Sequence, residues 1–134
     1  TVLRRDAENG SLTAIQTLPT IPEGVATDGV STAEIFVHPT GRWLYVSNRG
    51  RDTIAVYAIG ADGKLTWLEE TPTPAEPRGF GLSPDGKWLV VGGQRANRVA
   101  AFRIDPGSGK LTRSGQDIEV GSPTCVIFAG NPIG

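Results

Sequence analysis

Thirteen consecutive residues of this chain occur twice, and the recurrence limits the fold more than any other feature. His38-Pro-Thr-Gly-Arg-Trp-Leu-Tyr-Val-Ser-Asn-Arg-Gly50 returns 45 positions later as Ser83-Pro-Asp-Gly-Lys-Trp-Leu-Val-Val-Gly-Gly-Gln-Arg95, with Pro39/Pro84, Gly41/Gly86, Trp43/Trp88, Leu44/Leu89 and Val46/Val91 in register. A Pro followed two positions later by Gly is turn chemistry, because Gly supplies the positive φ angle that other residues resist. The Trp-Leu-Tyr-Val run behind it reads as a strand apolar on both faces. A second echo, Asp6-Ala-Glu-Asn-Gly-Ser-Leu-Thr13 against Asp105-Pro-Gly-Ser-Gly-Lys-Leu-Thr112, lies 99 positions apart. The 134 residues are therefore counted in repeats of roughly 45, about three of them.

Each repeat parses into four short strands. In the first complete unit, 34–71, these are Glu34–Val37, Trp43–Ser47, Thr53–Ile59 and Leu65–Glu70, separated by the Pro39-Thr-Gly41 turn, the polar Arg49–Asp52 turn and an Asp62-Gly63 hairpin. The inner strands are expected to be buried on both sides. The second unit, 79–120, repeats the plan with Pro106–Gly109 as its last hairpin. Residues 1–18 read as the end of a preceding unit, Pro19–Thr32 as a connection, and 123–128 as the first strand of a further unit, with Pro123 in the place of Pro77. Four antiparallel strands per 45-residue repeat predict an all-β propeller: two complete four-stranded blades flanked by two partial ones. A single β-sandwich with a duplicated hairpin fits less well, because every turn of a four-stranded unit is kept. A ring normally closes with four or more blades. The chain is thus expected to need further blades or self-association, and the absence of any Met, position 1 included, predicts a piece of a longer protein.

Composition removes several function classes. Thirteen Lys and Arg against fourteen Asp and Glu leave a net charge of −1, without the basic field that nucleic-acid binding requires. With one Cys and one His there is no internal disulfide and no zinc-type ligand set, so no metal site is expected and the chain reads as intracellular. No apolar run approaches 18 residues, so no membrane partner is expected. Cys125, beside Val126, Ile127 and Phe128, is expected to be a buried small hydrophobe.

Antiparallel succession sorts the polar residues. Loops entering the first strand of a blade and loops joining its second and third strands share one face; the Pro-x-Gly turns lie on the other. Glu34, Asn48, Arg49, Arg51, Asp52, Glu76, Arg78, Gln94, Arg95, Asn97 and Arg98 therefore gather on one rim, and Glu34 and Arg78, entering first strands, are best placed at the mouth of the central channel. Guanidinium groups at such a mouth bind phosphate or carboxylate by paired hydrogen bonds, and Glu34 supplies a base or orients water. The competing reading pairs these arginines with Asp52, Glu76 and other neighbours on exposed loops. His38, in the opposite-face turn, is not expected to be a catalytic base, and Trp43, Tyr45 and Trp88 read as blade packing.

At Ala33-Glu-Ile-Phe-Val-His-Pro-Thr-Gly-Arg-Trp-Leu-Tyr-Val-Ser-Asn-Arg49, Pro72-Thr-Pro-Ala-Glu-Pro-Arg-Gly-Phe80, Gly92-Gly-Gln94 and Val120-Gly-Ser-Pro-Thr-Cys-Val126 the chain resembles the seven-bladed lactonase family, which includes propeller-type 6-phosphogluconolactonases and fungal carboxymuconate cyclases. The resemblance spans essentially Val2–Phe128, as a C-terminal third. It implies hydrolysis of a small anionic sugar lactone in the cytoplasm, without an obligatory cofactor. It further implies catalytic roles for Glu34, matching the family acid, and Arg78, matching a mouth arginine. Arg49, Asn48, Gln94 and Arg95 would then bind substrate, while the family histidine has no counterpart here. A muconate-type cycloisomerase and a non-enzymatic binding platform or surface-layer-like module are the alternatives.

Overall fold

The structure, a computed structural model, describes residues 1–129. Ten strands form three antiparallel sheets. A hairpin of β1 (Val2–Arg5) and β2 (Leu12–Gln16) comes first. The first four-stranded sheet follows in simple order: β3 (Ser31–Val37), β4 (Trp43–Arg49), β5 (Thr53–Ile59) and β6 (Leu65–Pro72). The second sheet, β7 (Pro77–Leu82), β8 (Trp88–Gly93), β9 (Arg98–Ile104) and β10 (Leu111–Glu119), repeats that order. Among the described residues there is no helix. The propeller-blade architecture read from the repeat is the one observed.

The turns form for the reasons their residues give. His38 and Ser83 accept a hydrogen bond from the Gly41 and Gly86 amides at 2.8 and 2.9 Å, with those glycines at φ +73° and +70°. The 99-residue echo is equally real: the Asp6 and Asp105 carbonyls accept from Gly10 and Gly109, and both carboxylates cap the turn amides between. A side chain that mimics the next backbone acceptor makes such a turn local and cheap to form.

Two strands start earlier than alternation predicts. β3 begins at Ser31, not Glu34, and β7 at Pro77, not Gly79. In both, pairing skips residues: Thr32 faces Asn48 and Ile35 faces Val46, and Pro77 faces Gly93 while Gly79 faces Gly92. What reads in sequence as a strand end is a β-bulge inside the strand.

The main core lies between the two blades. Trp43, Tyr45, Ile54 and Val56 from the first sheet pack on Phe80, Leu89, Val91, Phe102 and Ile104 from the second. Each such side chain, withdrawn from water, contributes about 1.5–3 kcal/mol. Leu44, Val46, Ala55 and Tyr57 point the other way and meet Leu18, Ile59, Leu65 and Trp67. β4 is therefore buried on both faces, as its sequence demands. β3 is not: Ile35 and Val37 are 57% and 54% exposed. The contrast with β7 gives the reason: Phe80 and Leu82, which answer to Ile35 and Val37 at the 45-residue offset, face the first sheet, while residues 124–126, which form no strand, pass the opposite face so closely that a Cβ on Gly79 would meet Thr124 O at 2.5 Å and one on Gly81 would meet Val126 O at 2.9 Å. Among the described residues no four-stranded sheet packs on the Ile35 and Val37 face of β3 as the first sheet packs on Phe80 and Leu82. For the same reason the expectation for Cys125 is corrected: it is exposed, because its strand-like segment has no further sheet beyond it.

Candidate functional site at the blade rim

The loop turns at the rim are built by one device used twice. Asp52 and Asn97, 45 positions apart, both adopt the left-handed conformation, at φ +59° and +51°. The Asp52 carbonyl accepts the Thr73 amide and its Oδ1 accepts the Glu76 amide at 2.9 Å. Asn97 does the same to Val120 and, through Oδ1 at 2.8 Å, to Ser122. Glu76 and Ser122, each preceding a proline, are themselves left-handed at φ +61° and +46°. Pre-proline residues favour extended backbone, so these positions are held against their preference. The latch fixes the chain just where it enters the next blade's first strand.

Immediately inside the Asp52 latch stands the β7 bulge, which carries Arg78, and a corresponding bulge at the same end of β3 carries Glu34. In β3, Ala33 and Glu34 oppose the single residue Ser47, whose Oγ accepts the Glu34 amide at 2.9 Å. Glu34 is half-buried, and its Oε1 accepts the Ile35 amide at 3.2 Å. In β7, Arg78 is the bulged residue; it is exposed and its Nη1 donates to Gln94 Oε1 at 3.3 Å. Arg78 and Gln94 are thus brought together, while Glu34 occupies the equivalent bulge on the neighbouring blade with no ion pair to either among the described residues.

The remaining predicted residues divide by side-chain direction. Asn48 is fully buried, and its Nδ2 donates to Thr20 O at 2.6 Å, tying the β2–β3 connection to β4. Arg49 projects between the blades, where it lines a recess of about 180 Å³ with Gly29, Ser31, Gly50, Glu76 and Arg95. Arg95 also pairs with Asp52 at 3.3 Å. Arg51 lies outside this group; Glu70 engages it through Nε and Nη2, and this hydrogen bonding raises the Arg51 pKa further above its ordinary value. The competing reading of the arginines thus holds for Arg51 and in part for Arg95. Ser47, Gly29 and Ser31 were not singled out in the sequence. Only the broken alternation at 33–34 signalled Ser47's role.

His38 sits on the far side of the blades, 6% exposed. Its Nε2 lies 2.8 Å from Gly86 O, which can only accept, so Nε2 carries the proton and Nδ1 accepts from the Thr40 amide. The ring also stands edge-on to Trp43 at 4.8 Å. It joins the two Pro-x-Gly turns and takes no part in the rim.

With this geometry in view, relatives are informative. The family description "Lactonase, 7-bladed beta-propeller" matches residues 1–128. A 6-phosphogluconolactonase of Pectobacterium carotovorum is 34% identical over 111 residues, 82% of this chain and 33% of the relative. Among solved structures, a putative 6-phosphogluconolactonase of Bacteroides fragilis superposes with a TM-score of 0.85 at 32% identity, covering 96% of this chain and 35% of that one. The periplasmic gluconolactonase PpgL of Pseudomonas aeruginosa gives 0.87 at 33% identity, covering 95% and 36%. The chain thus spans about a third of the length of the relatives it matches. Two repeated four-stranded blades, a shared rim latch and a match over nearly every residue lead to one assignment: this chain belongs to the seven-bladed β-propeller lactonase family.

Proposed function

We propose that this chain forms part of the channel-mouth site of a lactone hydrolase acting on a small anionic sugar lactone, in the cytoplasm and without an obligatory cofactor. The observation that carries the reading is the repeated β-bulge at the rim ends of adjacent innermost strands, which carries an acid, Glu34, on one strand and an arginine, Arg78, on the other, one position apart in the repeat. Bulges re-aim side chains and recur beside active sites. The names of the relatives favour lactone hydrolysis over cycloisomerisation and over a purely structural propeller.

In this reading a water attacks the lactone carbonyl carbon while its proton passes to the Glu34 carboxylate. Negative charge develops on the carbonyl oxygen, where the Arg78 guanidinium, oriented by Gln94, stabilises it. The bond to the ring oxygen then breaks, and that oxygen takes a proton to leave as the hydroxyl of the open acid. Asn48 acts indirectly by holding the Thr20 connection, whereas Arg49 and Arg95 face the recess between the blades and not this mouth.

The test places this chain in the matching third of the Pectobacterium relative and follows hydrolysis of 6-phosphogluconolactone. Glu34→Gln and Arg78→Ala are each expected to lower kcat/KM by about 10²–10³-fold. Unchanged rates in both variants would remove these residues from the chemistry. Cell fractionation of the tagged protein checks the compartment.

A further inference from the structure

The recess between the blades is not part of the Glu34–Arg78 mouth, since neither of those residues nor Gln94 lines it. It has three properties that together describe a ligand. First, Arg49 Nε is buried and has no hydrogen-bond partner among the described residues. A buried charged donor without an acceptor is costly, so such a group points to an acceptor supplied from outside the chain. Second, Arg95 commits one Nη to Asp52, yet its side chain is 65% exposed and keeps its other donors available. Third, Glu76 borders the same space, and its carboxylate makes no hydrogen bond or ion pair among the described residues, although its amide is fixed by Asp52.

Two guanidinium groups beside two carboxylates leave the recess near neutrality, so a bare anion gains little from the overall field. A ligand that satisfies all three groups must present both an acceptor anion and a donor. At about 180 Å³ the recess is below the ~300 Å³ at which pockets begin to hold drug-sized molecules. Its wall is rigid backbone: Gly50 is at φ +82°, and a Cβ there would fall 2.1 Å from Gly29 O.

We propose that the recess lined by Arg49, Arg95 and Glu76 binds a small hydroxy acid, its carboxylate on the two guanidinium groups and its hydroxyl donating to Glu76. The site is independent of the lactonase reading and stands whether or not the chain contributes to lactone hydrolysis. Planar guanidinium forks match a carboxylate by paired hydrogen bonds, and the hydroxyl gives selectivity because a carboxylate left without a donor loses a charge-assisted bond.

The experiment is a titration of the full 134-residue chain, labelled for amide NMR, with glycolate, acetate and ethylene glycol. Glycolate is expected to shift the amides of Gly29, Ser31, Gly50, Glu76 and Arg95, with an affinity about tenfold above that of acetate, and ethylene glycol is expected to shift none of them. Arg49→Gln and Arg95→Gln should each weaken glycolate at least about fivefold, and Glu76→Gln should shrink the preference over acetate. Arg95 is exposed, so its variant keeps the test valid should Arg49→Gln disturb folding. Equal affinity for glycolate and acetate, shifts confined to other residues, or binding unchanged in Arg95→Gln would each overturn the proposal.

Discussion

At the scale of single residues, equivalent letters in the two repeats do different amounts of work. Gly10 and Gly109 close the same Asp-to-Gly turn at φ +75° and +73°. Nothing lies within 4 Å of a Cβ placed on Gly10, whereas one on Gly109 would stand 2.4 Å from Trp43 Cγ. Gly10→Ala is therefore expected to cost only the left-handed backbone term, about 1–2 kcal/mol. Gly109→Ala adds overpacking against a buried indole and is expected to cost about 3–5 kcal/mol in urea denaturation. Tyrosines at the blade interfaces make a second case. Burial pushes the Tyr57 phenol from 10.0 up to about 12, and its hydroxyl donates to Pro19 O. Tyr45, which donates to Gly109 O, is raised further by burial and by Glu69. Between the ordinary and the folded value the unfolded chain gives up a proton that the folded chain keeps, so stability falls as pH rises through that window and is fully present below it. Tyr57→Phe should be less stable than the wild type near pH 8, by about 1 kcal/mol, and the difference should narrow by about pH 11. A constant difference would contradict this assignment.

At the scale of elements, the rim latch shows how the repeat encodes geometry. Asp52 and Asn97 do the same backbone work, one charged and one neutral. Charge is thus incidental to the latch, and the Arg95 pair, with its exposed partner, adds little. Asp52→Asn is expected to stay within about 1 kcal/mol of the wild type. Asp52→Ala leaves the Glu76 and Gly50 amides without their acceptor and puts a residue with no polar side chain at φ +59°, at an expected cost of about 2–3 kcal/mol. Denaturation of both variants beside the wild type checks the order. The turns, the hairpins and the four strands of each complete blade were legible because each rests on local chemistry within a few residues, whereas the strand expected at 123–128 does not form. The bulges at Glu34 and Arg78 were not, because a broken alternation reads as a strand end unless the partner strand is known to continue. Nor was the separation of Arg78 and Gln94 from Arg49 and Arg95, since facing is set by inter-blade packing and not by rim membership.

At the scale of the whole molecule, one blade face remains open. Ile35 and Val37 border a groove of about 480 Å³ with Leu18, Leu44, Val46, Tyr57 and Leu65. At the 45-residue offset these positions answer to Phe80 and Leu82, which the first sheet covers in the second blade. A contiguous apolar patch of this kind drives association. Light scattering of this chain is expected to show a mass that rises with concentration, and Ile35→Lys with Val37→Lys should lower it. A monomer that leaves an apolar dye dark would contradict the exposed-face argument.

The sequence by itself determined the blade: its period, its four strands, its Pro-x-Gly and Asx turns and the rim on which polar residues gather, all of which follow from interactions spanning one repeat. Tertiary structure alone decided what each repeated position does. It pressed Gly109 against Trp43 and left Gly10 in open space, turned His38 into a bridge to Gly86, left Cys125 exposed, and set Arg49 and Arg95 in a recess apart from Arg78. The physical reason is that identical units acquire different environments once stacked, because a side chain's partner across the blade interface lies about one repeat away and in another sheet.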